Sequence, residues 1–209
     1  MSEERALLTR LGVMGGTFDP IHLGHLVAAS QALHAFRLDR VLFVPAARPW
    51  QKTSPTDPED RMLMTMLAAA THPAFAVSRM EIDRRGPTYT LDTLTMLRRV
   101  MGEETQLFFI LGADALANLG TWDRVDGLAK VAEMIAVARP GYDLETIELD
   151  PSWPRVNVLD MPQLDISATA IRAAVRAGRP IDYLVPHDVA DYIRTKGLYV
   201  GRGEGRRAS

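Results

Sequence analysis

The sequence predicts a doubly wound α/β fold, a parallel sheet with helices on both faces, and three observations carry that prediction. Short apolar runs alternate with stretches of helical period along the chain, which is the βαβ rhythm of parallel sheets. The stretch 15–25, GGTFDPIHLGH, follows directly on the apolar run 11–14, where a first strand would hand over to its helix. The 209 residues are 47% hydrophobic and 24% charged, ordinary values for a single globular domain with a full core.

Residues 11–14, 41–44, 75–77, 107–111, 134–138 and 156–159 read as strands, each short and apolar enough to be buried on both faces of a parallel sheet. Between the first two, Leu26, Ala29, Leu33 and Phe36 recur at helical spacing from Leu23 onward. Met62, Leu63, Met66, Leu67 and Ala70 mark a second helix, and Leu91, Leu94, Leu97 and Met101 a third. Four prolines (45, 49, 55 and 58) make 46–58 a long loop after a strand's carboxyl end, a candidate lid or substrate loop. The polar, proline-bounded stretch 140–154 reads as a surface excursion, and 167–177 and 186–196 as two closing helices. We expect one domain over residues 1–200 with a small helical C-terminal part, and a flexible basic tail at 201–209, GRGEGRRAS.

Composition narrows the function. A formal net charge of −2 argues against a general binder of nucleic acid or membranes and favours cations gathered locally around a small anion. No apolar run reaches the roughly 18 residues that span a bilayer. The first ten residues, MSEERALLTR, lack the apolar region of a signal peptide, so a cytoplasmic protein is expected. Without cysteine there is neither disulfide nor thiol nucleophile.

The chemistry concentrates in 15–25. Gly15 and Gly16 allow positive φ and close backbone approach, so free N–H groups could point at phosphate oxygens, with Thr17 and Phe18 supplying further backbone contacts. His22 and His25 fall at or just before the helix N-terminus, where anions are favoured. Asp19 is expected to fix the turn or cap the helix. Half of a metal site and a purely structural pair are the other readings of the two histidines; His34, His72 and His187 form no ligand cluster with them in the sequence. In the run 166–172, Ser167 or Thr169 is placed to cap a helix, with Arg172 in its first turns, so that hydroxyls, N–H groups and a guanidinium face one anion. Thr88 or Thr90 is likewise placed to cap the helix that Leu91 begins.

These residues also carry a family resemblance. GGTFDPIHLGH resembles the nucleotidyltransferase form of the HxGH motif, and ISATAIR resembles that superfamily's second phosphate-binding motif, ISxTxIR, with Ala168 where a second serine is frequent. PWQK, GPTYTLDT, LGAD and ARPG fall between them in the order of the bacterial nicotinate-nucleotide adenylyltransferases, so that the resemblance runs from Gly12 to Tyr199. It implies a Rossmann-like fold and the transfer of AMP from ATP to nicotinate mononucleotide. By the same resemblance His22, His25 and Arg172 would be catalytic. Gly15, Gly16, Thr17, Phe18, Gly112, Asp114, Arg139, Ser167 and Thr169 would bind ATP. Lys52, Thr88, Tyr89, Thr90 and Trp122 would bind the mononucleotide. Asp123 stands where other members carry an aromatic residue after that tryptophan.

A mononucleotide brings its own phosphate nucleophile, largely dianionic at neutral pH, which agrees with the lack of any nucleophile-and-base arrangement in the sequence. Magnesium would arrive with ATP, held mainly by phosphate oxygens and water, with no protein cage. Partners are then ATP and nicotinate mononucleotide, with no nucleic acid and no membrane. A homo-oligomer is left open, as are preference for the amide mononucleotide and a nucleotide sensor without turnover.

Overall fold

The computed structural model describes residues 8–47, 56–84, 86–138, 149–162 and 164–200. Six strands form one all-parallel sheet in the order β3-β2-β1-β4-β5-β6. They are β1 (Arg10–Gly16), β2 (Arg40–Pro45), β3 (Phe75–Val77), β4 (Gln106–Gly112), β5 (Glu133–Val137) and β6 (Val156–Leu159). The fold is therefore the Rossmann-like α/β arrangement that the alternating pattern predicts. The order reverses direction between β1 and β4, which leaves a crevice at their carboxyl ends.

Side-chain alternation along the strands makes two cores. Leu11 and Val13 of β1 and Leu107, Phe109 and Leu111 of β4 pack with Leu94 and Leu97, whereas Met14, Phe108 and Ile110 face the opposite way, toward Ala29, Ile171 and Val189. The period of two turns one strand sequence into the lining of two helix layers. On one side lie α1 (Leu23–Ala35), α2 (Pro58–Ala69), α6 (Ala168–Arg176) and α7 (His187–Lys196). On the other lie α3 (Thr90–Met101) and two short helices that the sequence reading does not contain, α4 (Ala113–Ala117) and α5 (Val125–Leu128).

Helix ends follow local chemistry. Asp57 caps α2, its carboxylate accepting from the N–H of Glu59 at 2.8 Å, and Pro58 occupies the first helical position, where its missing N–H costs nothing. Ser167 caps α6, its Oγ accepting from the N–H of Ala170 at 3.2 Å. Most of the predicted 46–58 loop, much of the 140–154 excursion and the tail 201–209 lie outside the described residues. Among the described residues, no helix is long and apolar enough to cross a membrane.

Candidate active site

A cavity of about 450 Å³ opens at the carboxyl ends of β1 and β4. The β1 turn contributes Gly15, Gly16, Thr17, Phe18, His22 and His25; β4 and the segment after it contribute Gly112, Asp114 and Trp122; Thr88 and Thr90 come from the start of α3, and Ser167, Thr169 and Arg172 from α6. Stretches far apart in sequence thus meet around one space. Tyr89 is not in its wall: it is the N-terminal boundary residue of α3, and its ring lies 5.8 Å from the guanidinium of Arg124. Lys52 and Arg139 lie outside the described residues.

The turn itself differs from the sequence reading in a specific way. Gly15 and Gly16 end β1 in its regular ladder, and neither has positive φ. The left-handed residue is Phe18, at φ 49°. Gly16 is needed for space instead, because a Cβ there would stand 2.8 Å from the Phe18 ring. That ring is buried edge-on against His25 (5.1 Å) and Phe43 (5.9 Å), and this packing holds Phe18 in its uncommon backbone conformation.

His22, only 2% exposed, is the boundary residue of α1, and its backbone N–H donates to Nδ1 of His25 at 3.2 Å. This is half of a capping box in which an imidazole takes the place of the usual Glu or Gln. Its consequence is chemical. A ring nitrogen that accepts carries no proton, so the neutral His25 must be protonated at Nε2, leaving that nitrogen as a donor. The two imidazole centroids lie 3.7 Å apart at a tilt of 33°, and a Cβ at Gly24 would stand 3.1 Å from His22 Nδ1, close enough that the ring would have to give by a few tenths of an ångström. Asp19 does not cap α1: its carboxylate accepts the hydroxyl of Tyr199 at 2.7 Å, which pins the turn from the far end of the chain. The first N–H of α1, that of Leu23, is used on the carbonyl of Leu184 at 2.9 Å and is not offered to a ligand.

Arg172 donates from Nη1 to the carbonyl of Asp19 at 2.7 Å and from Nη2 to Oγ1 of Thr169 at 3.3 Å. The guanidinium is thereby fixed at the pocket wall beside the histidine turn. Neither Thr88 nor Thr90 caps α3, because the boundary falls at Tyr89, whose side chain makes no capping bond. The Thr88 hydroxyl instead stands near the Glu81 carboxyl and draws its pKa down. Trp122 lines the pocket edge-on to Phe109 at 5.8 Å, with its Nε1 buried and lacking a hydrogen-bond partner among the described residues.

Two ionisable side chains of this region escape the sequence reading. Glu81 lines the pocket at 8% exposure, its Oε1 taking the Thr93 hydroxyl at 2.6 Å; burial pushes its carboxyl above the ordinary value, against the opposing pull of the Thr93 and Thr88 hydroxyls. Arg61 of α2 is 1% exposed and donates to three carbonyls: Thr17 at 2.7 Å, Ala47 at 3.1 Å and Thr56 at 3.3 Å. It ties the β1 turn to both ends of the loop after β2. Burial lowers its pKa, with Asp19 opposing. Arg79, by contrast, is a surface charge, paired with Glu59 and Asp83. Among the described residues no three His, Asp or Glu side chains gather as metal ligands.

A strand-end crevice holding an HxGH turn and a second helix start rich in hydroxyl and guanidinium groups defines a nucleotidyltransferase. A family model described as cytidylyltransferase-like matches residues 13–174, and the chain belongs to that family. A protein of Corynebacterium kroppenstedtii is 53% identical over 197 residues, covering 93% of each chain. One of Saccharopolyspora erythraea is 51% identical over 199 residues, covering 93% of this chain and 92% of the other. Both bear the name "Probable nicotinate-nucleotide adenylyltransferase", and within its family this chain is one of the nicotinate-nucleotide adenylyltransferases. Among solved structures, Plasmodium falciparum nicotinic acid mononucleotide adenylyltransferase complexed with NaAD matches with a TM-score of 0.74 at 19% identity, over 91% of this chain and 97% of that one. That likeness is one of fold.

Proposed function

We propose that this cavity carries the adenylyl transfer of the family: ATP and nicotinate mononucleotide give nicotinate adenine dinucleotide and pyrophosphate. A phosphate oxygen of the mononucleotide attacks the α-phosphorus of ATP, the bond from that phosphorus to the bridging oxygen breaks, and pyrophosphate departs with the electron pair. No proton has to be removed from a dianionic nucleophile, so the protein's contribution is alignment and charge stabilisation. The observation that carries this reading is the His22 N–H bond to His25 Nδ1, which puts the ring proton of a neutral His25 on Nε2, with both histidines lining the cavity.

In this reading His22, His25 and Arg172 stabilise the charge that grows on the transferring and leaving phosphates, and Ser167 and Thr169 complete the cradle at the start of α6. Gly112 and Asp114 receive the adenosine side, Asp114 through ribose hydroxyls. The pyridine ring lies between Trp122 and the start of α3, where N–H groups face a carboxylate. Lys52 and Arg139 keep the phosphate and adenosine roles that the family implies. The pocket's donors suit phosphate oxygens, and the lack of a protein ligand cluster among the described residues fits a magnesium ion held by ATP's own oxygens and water. That ion would neutralise triphosphate charge. Residues up to 200 then form one catalytic domain, working as a soluble protein of the cytoplasm.

Pyrophosphate release is the test, measured with ATP and, in parallel, the acid and the amide mononucleotide. Turnover with the acid exceeding that with the amide is expected. No ATP-dependent release with nicotinate mononucleotide would sink the assignment.

A further inference from the structure

Glu81 sits in the pocket wall, yet the phosphate chemistry has no use for a carboxyl group there. The two threonines it meets explain its place: the Thr93 hydroxyl donates to it at 2.6 Å, and the Thr88 hydroxyl draws its pKa down. Thr88 stands one residue before the Tyr89 boundary of α3, and Thr93 is the fourth residue within the helix. These are the two positions that a hydrophobic staple joins at other helix starts, fixing the angle at which the chain approaches the helix. Here a buried carboxyl from the preceding segment meets both positions, hydrogen-bonded to Thr93 and interacting with Thr88, across a boundary residue whose own side chain makes no capping bond.

The clamp bears on a ligand through two facts. The first-turn N–H groups of a helix have no acceptor within it, and their direction is that of the helix start. Each threonine hydroxyl has one proton; that of Thr93 is committed to Glu81, and that of Thr88 lies toward the same carboxyl. Discrimination between a carboxylate and a carboxamide is then left to the backbone donors that the clamp aims. Hydrogen bonds to an ionised acceptor are roughly twice as strong as neutral ones, so loss of aim penalises the acid more than the amide.

We propose that Glu81 is a positioning residue that sets the preference for a pyridine carboxylate over a carboxamide, by holding Thr93 of α3 from the pocket wall beside Thr88. The proposal rests on the ring lying at that helix start. Steady-state kinetics of the full chain with both mononucleotides tests it, using Glu81→Ala, Glu81→Gln and Thr93→Val. Glu81→Ala should lower kcat/KM for the acid by about 10- to 100-fold, a cost of misplacement, through the KM of that mononucleotide. The KM for ATP and kcat/KM for the amide should change by less than about threefold, as for interactions outside the affected contact. Thr93→Val should shift the acid-to-amide ratio the same way by less. Glu81→Gln, whose amide can accept from one hydroxyl and donate to the other oxygen, should restore the ratio. An unchanged ratio in Glu81→Ala or, where that variant does not fold, in Thr93→Val overturns the proposal alone, as does an equal loss toward acid, amide and ATP. A wild-type enzyme that uses acid and amide equally overturns the ring placement and the proposal with it.

Discussion

His25 shows how much a single backbone contact decides. Because Nδ1 is occupied by the N–H of His22, the two ring nitrogens of this pocket residue have separate tasks, one holding the helix start and the other carrying the ring proton. Substitution separates them. Asparagine at 25 places an amide near the Nδ1 position and preserves the helix-start contact while losing the pocket donor; glutamine reaches the Nε2 position. His25→Asn should fold with a melting temperature close to wild type and lose about 10²- to 10³-fold in kcat, the usual cost of one transition-state donor, whereas His25→Gln should retain more turnover. Equal turnover of the two variants in the pyrophosphate assay would refute this division of labour. The histidine pair itself is legible in the sequence, since its three-residue spacing directly after a glycine turn marks it. The tautomer is not, because it depends on which N–H points at which nitrogen. Arg61 and Glu81 are hidden for a related reason: each stands among other charges, Arg61 after Glu59 and Asp60 and Glu81 between Arg79 and Asp83, so no pattern marks it as the buried one, and their partners are carbonyls and hydroxyls from other segments.

At the scale of elements, the six strands are legible because each apolar run is as long as a buried parallel strand and is closed by polar or glycine residues. α4 and α5, with 5 and 4 residues, are too short to show a helical period. Strand β1 also begins under a control that no strand pattern contains. Asp39, just before β2, accepts from the N–H of Arg10 at 2.8 Å and from the N–H and hydroxyl of Thr9 at 2.7 and 3.0 Å. The bond from Arg10, followed by those from Thr9, holds the Asp39 carboxyl below its ordinary value against some desolvation. A depressed carboxyl stabilises the fold above its unfolded pKa, near 3.8, and that contribution disappears as pH falls through the lower folded value. Asp39→Asn should therefore cost about 1 kcal/mol at pH 7, an amount already reduced for the exposure of the site. The difference from wild type should shrink below pH 4 in denaturant titrations. A difference that is the same at pH 7 and pH 3 would show that the charge on Asp39 is not its source.

At the scale of the molecule, the C-terminal part does more than close the fold: it supports the β1 turn from three sides. Arg172 of α6 binds the Asp19 carbonyl, Tyr199 binds the Asp19 carboxylate, and the carbonyl of Leu184 accepts the first N–H of α1. Arg61 reaches the same turn from α2, and α2 is joined to α7 through Tyr192, whose hydroxyl donates to Asp60 at 2.6 Å. The phosphate turn is thus held by residues that chain order places last, and a sequence reading that takes the C-terminal helices as closing elements misses their grip on it. Desolvation by burial, then the bond to Asp19, pushes the Tyr199 hydroxyl above its ordinary pKa, so it remains a donor throughout the neutral range. Tyr199→Phe should cost about 1 kcal/mol of stability, the value of one such bond. It should also lower kcat several-fold without a matching rise in either KM, since the lost interaction orients the turn and not a substrate. Removal of residues 201–209 should leave both quantities as they are, while truncation after Leu198 should reproduce or exceed the Tyr199→Phe loss. Unfolding curves and kinetics of these three variants place the functional end of the chain: a tail deletion as damaging as the truncation after Leu198 would move it beyond residue 200.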